Sequence, residues 1–403
     1  MSARVSLAAA SVLLAAMLRF AAGVAATLAL LPALAQQTAP YFPERGDWQS
    51  RAPQQAGFDV GRLDEAIKFA AASETPGPKD QALVQQQTFG KSEPHNAIVG
   101  PMKVRAALNG LIVHRGYVVA QWGDTDSVDM THSVTKTFLT TVVGLAVQKG
   151  LIRKVDDKVR EYMPAGVDLF DAPHNQPITW DHLLRQTSDW QGTLWGKPDW
   201  ADRPEGTPQE WSNRKLSAPG TRYKYNDVRV NVLALAALHV LRRPLPEVLR
   251  EEIMDPIGAS STWRWHGYEN SWIELDGMKV QSVSGGGHWG GGMFINAWDL
   301  ARFGYLFLRN GKWKDRQVVA ESWIKMARAP GSANPEYGHA NWFLNPARKV
   351  LPAAPESSVT FRGAGQNIVY VDWDNDFVIV VRWIRSTSAL NEFIGKVLAA
   401  RTG

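Results

Sequence analysis

The chain has 403 residues, 44 of them basic and 39 acidic, for a formal net charge of +5, and it contains no cysteine. So mild a charge, with no basic run of five or more, gives no sign of a nucleic acid or an anionic membrane surface as partner, and none is expected. The lack of cysteine excludes disulfides, thiol catalysis and thiolate metal sites together, and the length exceeds one simple core, so two lobes are expected.

Residues 1–35 hold no acidic residue and only Arg4 and Arg19 as bases, and they end Ala33-Leu34-Ala35 before Gln36. That pattern reads as a secretory signal with a small-residue cleavage site. A start at Met17 would place Arg19 in the charged leader and Phe20 to Leu31 in the apolar run. The run is short for a membrane span, so no stable span is expected after cleavage. A bacterial periplasmic or secreted location follows, a compartment that penalises stray thiols.

Residues 36–56 read as an extended lead-in. Leu63, Ala66, Ile67 and Ala70 then recur at helical spacing behind Asp59, a suitable N-cap. Residues 73–103 carry four prolines and several glycines and read as a long loop. Residues 110–114 and 117–122 flank Arg115-Gly116 as a hairpin. From Ser133 the pattern is helical, with Phe138, Leu139, Val142, Val143, Ala146 and Val147 on an apolar face and Gly150 as the stop. Residues 150–280 are rich in Trp and Pro, with helical stretches at 180–186, 227–241 and 245–254. Helices are expected at 297–309 and 320–328, then strands at 367–373 and 377–384, then a helix at 389–400. The fold class expected is α/β of the α+β kind: an antiparallel sheet flanked by N- and C-terminal helices, with a mostly helical lobe inserted. The sheet lobe would span about 56–132 and 281–403 and the helical lobe about 133–280, with a site at the seam between them.

Ser-x-x-Lys places a hydroxyl and an amine on one helix face, since i and i+3 are neighbours there. A buried lysine of lowered pKa can take the serine proton, and the helix N-terminus offers N–H groups to a developing oxyanion. Three copies occur: Ser133-Val-Thr-Lys136, Ser212-Asn-Arg-Lys215 and Ser322-Trp-Ile-Lys325. Ser322 belongs to an amphipathic stretch whose lysine faces solvent, and Ser212 sits in a polar loop. Only Ser133 opens a strongly apolar helix, where a first-turn lysine needs a reason to be buried.

Downstream come His182-Leu-Leu-Arg-Gln-Thr-Ser188, then Pro219-Gly220 ahead of Tyr225-Asn226-Asp227, then a Gly-rich turn before Asp299-Leu-Ala-Arg-Phe303. That order, from about residue 56 to the end, is similar to the class C β-lactamases and their esterase and amidase relatives within the penicillin-recognising serine hydrolases. The resemblance implies a β-lactamase/transpeptidase-like fold and gives Ser133 the acyl-forming role. Lys136 would share its proton, and Tyr225 would relay a proton to the leaving group and later activate water. This works only if Lys136 or Tyr225 has a perturbed pKa.

Two departures stand out. The family's Asn at the third position of the tyrosine motif is Asp227 here, which either faces the pocket or caps the following helix. The family's Lys-Thr-Gly strand reads Phe361-Arg362-Gly363-Ala364-Gly365 here, with Arg362 as its only cation. Gly363, Ala364 and Gly365 can still form the edge that binds substrate backbone. Gly285–Gly292 is either a structural turn or backbone near a ligand, with His288 or Trp289 lining the pocket. Ser188-Asp189 reads as a helix-ending loop.

The nine histidines show no ligand spacing, so neither metal nor other cofactor is expected, and no Gly-x-Ser-x-Gly elbow is present. The resemblance suggests as substrate a small amide, of the 6-aminohexanoate-oligomer type, or a simple ester, ahead of β-lactams. A D,D-peptidase or penicillin-binding protein is the competing enzyme reading, and a catalytically silent peptidoglycan- or peptide-binding relative the non-enzyme one. The oligomeric state is not written in the sequence.

Overall fold

The computed structural model describes residues 40–402; the expected signal and its cleavage site lie outside the described residues. Two units are distinguished, Met1–Tyr41 and Phe42–Gly403, and the helices and strands of the described residues belong to the second.

The centre of the second unit is a six-stranded antiparallel sheet. Its order is β7 (Phe343–Leu344), β8 (Val359–Gly363), β9 (Asn367–Asp372), β10 (Phe377–Arg382), β1 (Asn109–His114), β2 (Tyr117–Trp122). Alternate residues of these strands point to opposite faces, and both faces are covered. Leu111, Val113, Val369, Val378 and Val380 join the larger core on one side, where helix α7 (Ala297–Leu308) lies on the sheet. Ile112, Tyr370, Ile379 and Val381 face the other side, with α1 (Val60–Ala71) and α9 (Thr387–Ala399) packed together over them. Burial on both faces explains why Phe377–Arg382 reads as an unbroken apolar run closed by one arginine. Asp59 caps α1 through the Arg62 amide, as its position in the sequence predicts.

Helix α3 (Thr135–Gln148) follows Ser133 and is buried through Ala146, with Phe138 stacked on Phe303 of α7 at 3.9 Å. Helices α4 (Trp180–Leu184), α5 (Asp227–Leu241), α6 (Leu245–Leu249) and α8 (Glu321–Ala327) match the expected stretches, the third of them ending in a π turn over Arg250–Met254. Two regions differ from the sequence reading. The 73–103 loop contains α2 (Gln81–Gln87), capped by Asp80. The inserted region carries a long antiparallel pair, β4 (Arg264–Leu275) and β5 (Met278–Val283). These join β3 (Asp129–Met130) and β6 (Gly292–Ile295) in a four-stranded sheet ordered β3-β6-β4-β5. No helix among the described residues is long and apolar enough to cross a membrane.

Candidate active site

Ser133 sits in a single 3-10 turn, His132–Val134, that leads from β3 into α3. The turn is held from several directions. Thr131 donates its amide to Met293 O at 2.9 Å, the Thr135 hydroxyl donates to His132 O at 2.6 Å, and the Met293 amide donates back to Thr135 Oγ1 at 2.9 Å. His132 has φ 48°, a conformation costly for a residue with a side chain, and Gln81 of α2 anchors its ring at 3.0 Å. Ser133 makes no cap; Val134 holds the N-cap position of α3. The Ser133 side chain is half-buried, within reach of solvent.

Lys136, one turn on, has no exposed surface. Its Nζ lies 2.8 Å from Ser133 Oγ, 2.6 Å from Asp227 Oδ1 and 3.2 Å from Gly285 O. The pocket for that amine exists because the Gly285–Gly292 turn presses against the start of α3. A Cβ on Gly286 would come within 2.1 Å of His132 O, and one on Gly287 within 2.9 Å of Asp227 Cβ. The turn is therefore both of the things its sequence allowed: structural, and in contact with the site. Burial lowers the pKa of Lys136, against the pull of Asp227 toward the ammonium.

The tyrosine motif arrives on irregular chain tied to the Gln186 backbone and side chain. The Tyr225 side chain lies beside that of Ser133, and Lys136 Nζ lies 5.1 Å from its ring centre. Burial, and then the negative charge of Asp227, push the phenol upward, so it stays protonated. Asn226, not Asp227, caps α5, accepting from the Arg229 amide at 3.0 Å. Asp227 is the first helical residue and turns inward, which corrects the capping alternative. Burial alone would raise its pKa; Lys136 and Arg203 hold it well below the usual carboxylate range.

The second oxygen of Asp227 carries a further group of charges. Arg203 donates to Asp227 Oδ2 at 3.2 Å and also to Asp202, which in turn accepts the Asp227 amide. His288 Nδ1 is 3.2 Å from the same Asp227 oxygen, and its Nε2 is 2.6 Å from Glu93 Oε2. Burial would lower the imidazole pKa, but its bonds to Asp227 and Glu93 and the charge of Asp202 raise it to about 9. His288 is thus a buried ion-pair member and lines no open surface; Trp289 behind it is fully buried, 5.0 Å from Lys197 Nζ.

On the opposite wall, β8 ends at Gly363, where a Cβ would meet Thr131 O at 1.9 Å. Beyond it Ala364 is exposed, and Gly365 turns at φ 70° against the Trp383 ring. Arg382 ties this hairpin to the serine's turn. It is fully buried and donates to Asn367 Oδ1 at 2.9 Å, Ile295 O at 2.6 Å and Met130 O at 2.7 Å, while Asn367 donates to Ala364 O at 2.8 Å. Arg362 points elsewhere: its Nε bonds Thr360 Oγ1 at 2.7 Å and its guanidinium lies 5.3 Å from the Phe343 ring.

The other sequence candidates do not join the site. Ser212 and Ser322 are exposed, and Lys325 pairs with Glu321 in solvent. Asp189 is held by Arg214 and Arg229 at 2.7 and 2.6 Å, as a loop brace. Sequence reasoning missed Glu93, Asp202, Arg203 and Arg382. The first three carry no local motif; Arg382, an arginine closing an apolar strand, did leave a trace.

The family model described as Beta-lactamase matches residues 97–394, well over half of the sequence, and the chain belongs to that family of β-lactamase-fold hydrolases. Among solved structures it is similar to a Bacillus anthracis protein provisionally described as a 6-aminohexanoate-dimer hydrolase, at 17% identity and TM-score 0.53, covering 73% of this chain and 80% of that one. It is also similar to a beta-lactamase from Mycobacterium bovis at 19% identity and TM-score 0.52, covering 78% and 98%. A family VIII carboxylesterase matches at 12% identity and TM-score 0.55, over 85% and 99%. At these identities the likeness speaks for the fold, which is the β-lactamase/transpeptidase-like arrangement of helices and antiparallel sheet expected from the sequence. No curated protein matches the chain.

Proposed function

We propose that the protein is a serine hydrolase working through an acyl-enzyme on a small amide or ester, with Ser133 as nucleophile, Lys136 as base and Tyr225 as acid. The observation that carries this reading is the fully buried Lys136 amine, with Ser133 Oγ, Asp227 Oδ1 and Gly285 O at 2.8, 2.6 and 3.2 Å. A neutral amine has two N–H bonds and one lone pair. Asp227 and Gly285 O accept the two N–H bonds, which aims the lone pair at the Ser133 hydroxyl.

In the first step Ser133 Oγ bonds to the substrate carbonyl carbon as its proton passes to Lys136, and Asp227 stabilises the ammonium that forms. The negative oxygen faces the Ser133 amide and the Gly363–Gly365 edge. Tyr225 gives its proton to the leaving nitrogen or oxygen and is reprotonated from Lys136. Water then attacks the acyl carbon by the same route and releases the acid and free Ser133. A silent binding protein would gain nothing from a buried lysine against a half-exposed serine, which weighs against that alternative.

Intact-mass spectrometry after fluorophosphonate treatment tests the assignment, alongside a panel of p-nitrophenyl esters, aminoacyl amides and a chromogenic cephalosporin. One adduct, lost in Ser133→Ala, supports it; labelling that persists in that variant overturns it. The signal-like N-terminus supports export to the periplasm or beyond. N-terminal sequencing of the exported protein would begin at Gln36 if Ala35 is the cleavage point.

A further inference from the structure

Glu93, Asp202 and His288 are buried and bring one ligand-type atom each to within 4.8 Å of one another. A metal and a proton are the two occupants such a group can take. The 2.6 Å between Glu93 Oε2 and His288 Nε2 is a hydrogen-bond distance. Two ligands each about 2.0–2.2 Å from one ion would stand farther apart. Arg203 already supplies a cation to Asp202. With His288 protonated, the three carboxylates Glu93, Asp202 and Asp227 face two cations, Arg203 and His288, and the one negative charge left over is balanced when Lys136 takes up the Ser133 proton.

We propose that Glu93 and His288 are positioning residues for the catalytic lysine. Glu93 keeps a proton on His288, and the imidazolium so held takes up the second oxygen of Asp227 and limits how strongly Asp227 retains a proton on Lys136. The inference rests on the reading of Lys136 as the base. Its physical content is competition for one carboxylate. An unshared Asp227 2.6 Å from the amine would favour the ammonium and remove the base. A second cation on Oδ2 weakens that pull without moving the carboxylate.

The surroundings of His288 suit the role. Phe89 stacks on the ring at 4.3 Å and excludes water from one side, and Trp289 lies at 4.3 Å on another. The charged groups facing it are Glu93 from the segment after residues 89–92, Asp227 and Lys136 from α5 and α3, and Asp202 and Arg203 from the loop before α5. Lys197 lies beyond Trp289. His132 also feels this charge but is neutral in the working range, held near 4 by burial, Arg382 and Lys136. Arg203 does not titrate, so of the two cations on Asp227 Oδ2 only His288 can give up its proton.

Glu93→Gln is the test, because the amide oxygen can keep the bond that Glu93 Oε1 accepts from the Arg203 backbone at 3.0 Å, and its NH2 can donate to a neutral imidazole. The variant should lose the His288 proton in the neutral range. The rising limb of kcat/KM against pH should then move upward by roughly one unit, as a freed Asp227 holds Lys136 protonated. His288→Gln should shift it in the same direction. Proton occupancy is read without activity by 15N NMR of 15N-histidine-labelled protein, with the His288 signal identified by its loss in His288→Gln. Wild type should show an imidazolium at pH 7.5 and Glu93→Gln a neutral ring. A neutral His288 in wild type, or a folded Glu93→Gln with an unchanged profile, overturns the proposal. So does a stoichiometric metal whose removal by chelator abolishes activity. Failure of the base assignment itself would show separately, as a Ser133 adduct that forms unaltered in Lys136→Met.

Discussion

Lys136 Nζ stands 2.6 Å from Asp227 Oδ1, the amine wholly and the carboxylate almost wholly removed from water. Removing the carboxylate's charge takes a counter-ion from the buried Arg203 and His288 cations on its other oxygen, and breaking a buried pair typically costs about 3–5 kcal/mol. Asp227→Asn should therefore destabilise the fold by more than the about 1 kcal/mol expected of a lost cap, since Asn226 remains to cap α5. The same change removes the charge favouring the ammonium, so the acid limb of the pH–rate profile should move to lower pH. Urea unfolding and kcat/KM between pH 5 and 10 check both. A profile that stays in place would remove Asp227 from the proton path.

Ser133→Ala should lower turnover by several orders of magnitude, leaving the contributions of oxyanion and binding contacts. Ser212→Ala and Ser322→Ala should have no effect, because both hydroxyls are exposed and Lys325, the motif partner of Ser322, pairs with Glu321 in solvent. Kinetics on the best ester of the panel separates the three.

Arg382→Met should cost more in kcat than in KM. The guanidinium holds the Met130 carbonyl on the serine side and Asn367 on the hairpin side, and so sets the width of the gap where an oxyanion would sit. Loss of one aligned donor in such a hole is worth about 10²–10³ in kcat. The carbonyls of Met130 and Ile295 also lose their partner, at about 1–3 kcal/mol each. Steady-state kinetics with a melting curve tests this; a change confined to KM would deny Arg382 its bracing role.

Cephalosporin turnover should be weak. A β-lactam carboxylate wants a cation on the third-motif strand, and Arg362, the only one there, is bonded to Thr360 and lies over Phe343. Losing a charge-assisted contact of about 1.5–3 kcal/mol predicts a roughly 10- to 100-fold disadvantage. The chromogenic cephalosporin measured beside the best ester decides it, and parity would contradict the argument.

Stability should fall as the medium turns alkaline. The His288 pKa rises from 6.5 to about 9 on folding, against the lowering effect of burial, because of its bonds to Asp227 and Glu93. The proton it gains contributes fully below about pH 6.5, and the contribution is lost as pH rises through about 9. Such a shift corresponds to about 3 kcal/mol. Unfolding free energies at pH 6.5, 8 and 9.5 should show the decline in wild type and a flatter course in His288→Gln.

Much of this molecule is legible in the sequence where local pattern and tertiary role agree. Phe138, Leu139, Val142 and Val143 announce α3, and the same apolar face makes Lys136 conspicuous. The Asn367–Arg382 hairpin and its closing helix are equally plain. Legibility ends where long-range geometry takes over. Residues 264–275 mix charged and aromatic residues, and a register shift between Gly267 and Trp272 breaks the alternation that would have marked a strand. Helix α2, Gln-rich and seven residues long, is short for any periodic signal, yet Gln81 in it anchors His132. Asp227 showed itself as a departure from the family, but not which way it faces. That answer depends on Glu93 and Arg203, which lie 134 and 24 residues away in the chain and carry no mark of their own.

The sealing of Lys136 against α3 and the glycine turn has a kinetic consequence. Ser133 is half-buried and touches solvent, whereas the amine beside it does not. If that amine is the base, the hydrogen taken from Ser133 has no direct exit to bulk water and leaves only by way of Tyr225 or the substrate. Acylation then becomes a loan within three side chains: the hydrogen received by the departing amine or alcohol is drawn from the protein's own store. The rate of that half-reaction should accordingly be indifferent to the concentration and identity of the buffer.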